Sequence, residues 1–234
     1  VESTDALKDR ILSNLKRVRE GIAEAAIRYG RNPADILLLG VTKYSSALET
    51  RCLVELGCSD LAESRPQDLW KKAEDLADLS VRWHFIGHLQ RNKVRRTVPL
   101  IHLMHSLDSH RLLEELIGEC QRANSQLSAL IEVNMSGEAN KTGLPVEQVP
   151  QLIEAMLAQR HVRLSGLMGM APLGSSSDDA RECFASLRQL RDRMQQQFPE
   201  ANLSQLSMGM SGDYREAIAE GSTVVRIGSA LFEA

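Results

Sequence analysis

No two of the four cysteines, Cys52, Cys58, Cys120 and Cys183, stand in a Cys-x-x-Cys spacing. That removes the sequence signature of zinc sites and thioredoxin-like redox centres, and makes free thiols in a reducing compartment the expected state. Long apolar runs are missing too, so nothing reaches the roughly 18 residues of a membrane span. Neither sign of charge dominates: 28 Lys and Arg stand against 31 Asp and Glu, interspersed, for a net charge of -3. A nucleic-acid or anionic-membrane footprint is therefore not expected. The chain opens on Glu2, Asp5, Lys8, Asp9 and Arg10, which is not a secretion signal, and a cytoplasmic location is expected. His84 and His88 are four apart, but Gly87 and the apolar residues before it make this a strand-to-turn segment, and no metal is expected. No Gly-x-Gly-x-x-Gly follows the first strand, so the dinucleotide fingerprint is absent as well.

What is present reads as an ordinary water-soluble globular protein, with 43% hydrophobic and 25% charged residues among 234. Residues 5–29 place Leu7, Ile11, Leu12, Leu15, Val18, Ile22, Ala25 and Ala26 at helical spacing, and Gly30 ends the pattern. After this helix a rhythm begins. Short apolar runs over 36–41, 60–62, 81–86, 100–107, 127–133, 162–168, 203–208 and 223–227 predict eight strands. Between them, helical patterns occupy 46–56, 66–79, 89–96, 112–123 with Asp108 as cap, 145–159, 178–198 and 211–220, and a last turn covers 230–232. A loop is expected over 136–143 and another over 171–177. Eight strands alternating with eight helical segments predict one α/β domain over 1–234, a single (β/α)8 TIM barrel with an extra N-terminal helix. Such barrels take about 250 residues. A doubly wound open sheet is the alternative.

The stretch 34–46 organises the rest. Its apolar run is that of a strand buried on both faces, and Lys43 is the first charge beyond it. Chemistry in parallel α/β folds sits at that end of the strands. A desolvated lysine there can lose its proton and attack a carbonyl, whereas read alone it is also a strand-end lysine pointing into water. In a barrel, Lys43 shares one mouth with Glu63 and Ser64, His84, Asn134, Met208, Ser211, Gly212, Arg226, Gly228 and Ser229. The loops after strands seven and eight often bind phosphate in such folds. Here glycines let the backbone approach an anion, Ser211 offers an N–H and a hydroxyl, and a helix opening at Ser211 offers free N–H groups. A reactive lysine facing a phosphate cradle suits pyridoxal 5'-phosphate, whose aldehyde joins a lysine as a Schiff base. Arg226 would face the pyridine nitrogen and keep it unprotonated, because two positive charges in contact are costly. Its plainer reading is an ion pair with Glu63 or Asp213.

Four segments carry a family resemblance: Val41-Thr42-Lys43, the run from Trp83 to Lys93, Leu206-Ser207-Met208-Gly209-Met210-Ser211, and the run from Ala217 to Ser229. They resemble the pyridoxal phosphate homeostasis family, which looks like the barrel domain of alanine racemase without its second domain. The resemblance covers nearly the whole chain. It implies a monomeric barrel holding pyridoxal phosphate on the strand-one lysine, linked to vitamin B6 balance, with no firm enzymatic activity. Transient delivery to apo-enzymes is the expected partnership. Where the family usually has Gly-Glu-Asn after strand two, this chain has Ala62-Glu63-Ser64. Where it often has a basic residue and a proline after the lysine, Tyr44-Ser45-Ser46 follows.

The alternative is an amino-acid racemase, which needs acid/base groups on both faces of the substrate Cα. In racemases of this barrel type the second group is a tyrosine from the missing domain. Of Tyr29, Tyr44 and Tyr214, the last is the candidate, since Tyr29 is remote and alternation along a strand would turn Tyr44 away from Lys43. The basic run Arg91, Lys93, Arg95, Arg96 reads as a solvated helix face or a guide for an anionic cofactor.

Overall fold

The computed structural model describes residues 3–135 and 142–233. Eight parallel strands close on themselves: β1 (Leu37–Val41), β2 (Asp60–Glu63), β3 (Arg82–Phe85), β4 (Ile101–Leu107), β5 (Leu127–Asn134), β6 (Val162–Met168), β7 (Gln205–Ser207) and β8 (Val224–Ile227). Each pairs with the next, and β8 pairs with β1 through Leu39↔Arg226 and Gly40↔Ile227. The expected (β/α)8 barrel is therefore the observed fold, not an open sheet. A two-residue strand, Leu144–Pro145, lies along the end of β5. Among the described residues no helix is long and apolar enough to cross a membrane.

The period-2 alternation of each strand divides its side chains between two cores. Leu39, Val41, Ala62 and Val224 pack inside the barrel, as do Leu103, Leu130 and Met168. The opposite faces join the larger core under the helices, where Leu53, Leu61, Phe85, Met104, Leu116, Ile153, Phe184 and Ile227 are fully buried. Burying one such side chain contributes roughly 1.5–3 kcal/mol.

The helices are α1 (Thr4–Arg28), α2 (Ala47–Glu55), α3 (Pro66–Asp75), α4 (Val94–Thr97), α5 (His110–Arg122), α6 (Val149–Leu157), α7 (Ser177–Gln197), α8 (Tyr214–Ala219) and α9 (Ser229–Phe232). The leading helix buries Leu7, Ile11, Leu15, Val18 and Ile22, the stripe its spacing predicts. It packs on α2, α8 and α9. Asn14 Nδ2 donates to the Glu233 carbonyl at 2.8 Å and Arg10 donates to the Phe232 carbonyl. In this way α1 ties down the short C-terminal helix that follows β8.

Local chemistry shortens several elements relative to expectation. The helix expected over 89–96 is a 3-10 turn, Arg91–Lys93, running into α4, because Pro99 cannot continue it. The helix expected from 145 starts at Val149 with Pro150 in its first turn, where a missing N–H is no loss. Ser109, not Asp108, caps α5; its hydroxyl accepts from Leu112 N, while Asp108 accepts from Ser109 and pairs with His88. The expected loop over 136–143 lies mostly outside the described residues.

Candidate functional site

At the end of β1, a buried polar cluster fixes the backbone that carries Lys43. Glu63 points outward from β2 into the layer of helices and is fully buried. Its Oε1 accepts from Lys72 Nζ of α3 at 2.7 Å and from Thr42 Oγ1 at 2.5 Å. Lys72 Nζ also donates to the Thr42 carbonyl. A lysine reaching in from a helix thus clamps the peptide immediately before Lys43. Glu63 Oε2 is buried without a hydrogen-bond partner. The strand ends at Val41, and residues 43 and 44 form a turn. Strand alternation therefore no longer governs Tyr44: Lys43 Nζ lies 5.0 Å from the centre of its ring, correcting the expectation that it turns away. Lys43 is exposed at the mouth.

Beside it sits the turn after β8. Gly228 is so near β1 that an added Cβ would lie 3.4 Å from the Val41 carbonyl oxygen and 3.5 Å from its Cβ. Ser211, from the loop after β7, closes the other side: its Oγ accepts from Gly228 N at 3.3 Å and Ala230 N at 3.4 Å. Two backbone N–H groups and a hydroxyl converge there, with Ser229 exposed between them and Gly212 open to solvent. Both N–H groups donate to that hydroxyl here; turned to an anion, the three would make a donor set for a tetrahedral oxyanion. Gly209 makes the loop possible, with φ +93° and room for no Cβ, since one would stand 2.6 Å from Ala217 Cβ. The helix does not open at Ser211 as expected. Met210 N donates to Asp213 Oδ1 at 2.5 Å, and α8 begins only at Tyr214. The cradle rests on Ser211 and the 228–230 turn rather than on that helix.

Below the cradle lies Arg226, 3% exposed. Its Nη1 donates to the Ser207 carbonyl and to Ser207 Oγ, both at 2.7 Å, and its Nη2 donates to the Gly169 carbonyl at 3.1 Å. It forms no ion pair with Glu63 or Asp213 among the described residues, so the plainer reading of it fails. Burial lowers its pKa to about 10, opposed by the charges of Asp213 and Glu132, and it stays protonated at neutral pH. Burial raises both of those carboxyls, Glu132 despite the Thr142 hydroxyl that donates to it at 2.6 Å. A cavity of about 240 Å³ at the mouth is lined by Glu132, Asn134, Met170 and Met210, among others.

Two expected site residues are placed elsewhere. The Met208 side chain is fully buried in the outer core, because its strand turns that position away from the barrel axis. His84 lies inside the barrel in register with Ala62, below the mouth, hydrogen-bonded to Asp60 and His105. Ser64 is half-buried at the end of β2, and its carbonyl oxygen is so close to Gly87 that a Cβ there would stand 2.0 Å away. Lys43, Ser64, Ser211, Gly212, Gly228 and Ser229 lie just beyond the C-terminal ends of β1, β2, β7 and β8, Asn134 ends β5, and Arg226 is buried beneath them. Sequence reasoning missed Glu132, two positions before Asn134 on the same strand face, and Lys72, whose place inside an amphipathic helix gives no sign of burial.

The alanine racemase N-terminal domain model matches residues 9–234. A pyridoxal phosphate homeostasis protein of Aquifex aeolicus is 41% identical, over 93% of this chain and 95% of the relative. One from Pseudomonas aeruginosa is 38% identical, over 96% and 95%. The solved structure of PipY from Synechococcus elongatus with pyridoxal phosphate bound superposes with a TM-score of 0.85 at 30% identity, over 95% of this chain and 99% of that one.

Proposed function

Because the chain belongs to the pyridoxal phosphate homeostasis proteins, within the family of the alanine racemase N-terminal domain, we propose that it binds pyridoxal 5'-phosphate at this mouth as a Schiff base on Lys43. In this reading it is a cytoplasmic, monomeric holder of the cofactor that passes it transiently to apo-enzymes, rather than a catalyst. The observation that carries the reading is the seam between β1 and β8, where Val41, two residues before Lys43, meets Gly228, whose N–H joins that of Ala230 on the Ser211 hydroxyl. When bound, the cofactor would supply an aldehyde for covalent attachment and a phosphate for anchorage. The Gly228, Ala230 and Ser211 groups would hold the phosphate, and Arg226 would offer the pyridine nitrogen a cation. Such a neighbour opposes protonation of the ring and weakens it as an electron sink.

The racemase alternative loses its tyrosine. Tyr214 is 7% exposed, and a Cβ on Gly21 of α1 would lie 2.2 Å from its hydroxyl. That oxygen faces the leading helix on the outside of the barrel, far from any substrate on Lys43. Tyr44 is the tyrosine beside Lys43 and is 83% exposed, a poor setting for a tuned proton donor.

Mixing the protein with pyridoxal phosphate should give an absorbance band near the visible edge that borohydride shifts, with Lys43→Ala lacking it. An equal band in Lys43→Ala would remove the reading. Isotope exchange at the Cα of amino acids should stay at the rate of free cofactor, and enzymatic exchange would favour the racemase.

A further inference from the structure

A single file of polar groups runs through the barrel interior from its N-terminal face to Arg226. Arg82, its side chain 56% exposed at that face, pairs with Asp60, donating from Nε to Oδ1 at 2.7 Å and from Nη2 to Oδ2. Asp60 Oδ1 lies 3.2 Å from His84 Nε2. His84 Nδ1 lies 2.9 Å from His105 Nε2, and His105 Nδ1 lies 2.8 Å from Ser207 Oγ. Ser207 Oγ accepts from Arg226 Nη1 at 2.7 Å. His84, His105, Ser207 and Arg226 are each at most 3% exposed, so the file is shut off from bulk water.

Hydrogen-bond chemistry leaves one proton arrangement for the file. Asp60, held ionised by its donors, can only accept, so His84 carries its proton on Nε2. Burial keeps the ring neutral, and Nδ1 must then accept from His105 Nε2–H. His105, also neutral, offers a bare Nδ1 and accepts the Ser207 hydroxyl proton. The Ser207 oxygen is thereby left with lone pairs only, the partner that a guanidinium requires. Had the chain run the other way, His105 would donate to the oxygen and the hydroxyl proton would no longer be held away from Arg226.

We propose that Asp60 is a positioning residue for the mouth: through the ordered protons of His84, His105 and Ser207 it fixes Ser207 as an acceptor and so holds Arg226 in place. The link to the cofactor rests on the reading of Arg226 given above; the proton order does not. It also assigns His84 a role inside the barrel in place of direct contact at the mouth.

Long-range proton–nitrogen NMR on histidine-labelled protein without added cofactor reads the tautomers directly. Wild type should show His84 and His105 as neutral Nε2–H rings. Arg82→Met removes the surface ion pair but leaves the carboxylate, and both tautomers should persist. Asp60→Leu removes the terminal acceptor, and Nδ1–H forms should appear on both rings. The dissociation constant for pyridoxal phosphate should then rise about tenfold in Asp60→Leu, the size of one lost hydrogen bond to a charged group, and stay unchanged in Arg82→Met. If Asp60 served only as half of an ion pair, the two variants would behave alike, and that result overturns the proposal. So does an Nδ1–H on either ring of wild type, which decides the matter even if Asp60→Leu does not fold. Wild type that fails to bind pyridoxal phosphate while keeping both tautomers would count against the cofactor reading and leave the proton order standing.

Discussion

Replacing Lys72 with methionine should lower the stability of this protein by about 3–5 kcal/mol, the cost of stripping a buried carboxylate of its counter-charge. Lys72 Nζ is the cation on Glu63, whose side chain is fully buried and whose second oxygen already lacks a partner. The same ammonium donates to the Thr42 carbonyl, so the variant also frees the peptide that leads into Lys43. For a chain of this length the loss corresponds to a Tm lower by on the order of 10 °C. The double variant Lys72→Met, Glu63→Gln should recover much of it, because an uncharged amide is far cheaper to bury than an unpaired carboxylate. Thermal unfolding of the three proteins followed by circular dichroism checks this. A Lys72→Met variant within 2 °C of wild type, taken as about half a kcal/mol, would show that Glu63 is not held by this lysine.

Acid should weaken the fold in two stages. In the first, His84 and His105 stay neutral in the folded state, because burial lowers both pKa values from 6.5, that of His105 well below. For His84 burial prevails over Asp60, which favours the charged ring; for His105 the Arg226 charge, and any proton taken up by His84, add to burial. The unfolded chain takes up these protons near pH 6.5, so it binds more protons than the native state. Stability is complete above that pH and falls as the pH drops, by up to about 1.4 kcal/mol per unit for each ring. The second stage belongs to Asp60. Burial opposes its charge, but the donors on His84 and Arg82 outweigh it and bring the pKa to about 2. Its contribution is present above pH 4 and is lost between roughly pH 4 and 2. Urea unfolding from pH 8 to 4 should show the first decline, with a smaller slope in His105→Gln. A flat profile between pH 7 and 5 would contradict the neutral buried pair.

The barrel was legible in the sequence because a parallel strand buried on both faces leaves an uninterrupted apolar run. Val162–Met168 is found where its run predicts, and the other strands differ at their ends by a residue or two. Lys43, Ser211, Arg226 and Gly228 were legible because each follows or ends such a run at the face where barrels place chemistry. What the sequence concealed depends on which way a polar residue points. Asp60, His105 and Ser207 occupy inward positions, but partners 21 and 102 residues apart, as for His84 with His105 and His105 with Ser207, leave no local pattern. Met208 fails for the same reason in reverse: it stands among mouth residues in sequence, and its N–H still bonds to Val224 O across the ladder, so alternation carries one residue past Ser207 and sends its side chain outward. Tyr44 escaped the alternation argument because the strand had already ended.

Attachment to Lys43 itself is what distinguishes a specific cofactor site from incidental modification of surface lysines. After incubation with pyridoxal phosphate, borohydride reduction and proteolysis, mass spectrometry should find the pyridoxyl group on the peptide bearing Lys43 at near-unit occupancy. Finding it chiefly on another lysine, such as Lys93, or finding none, would contradict the assignment of this mouth as the cofactor site.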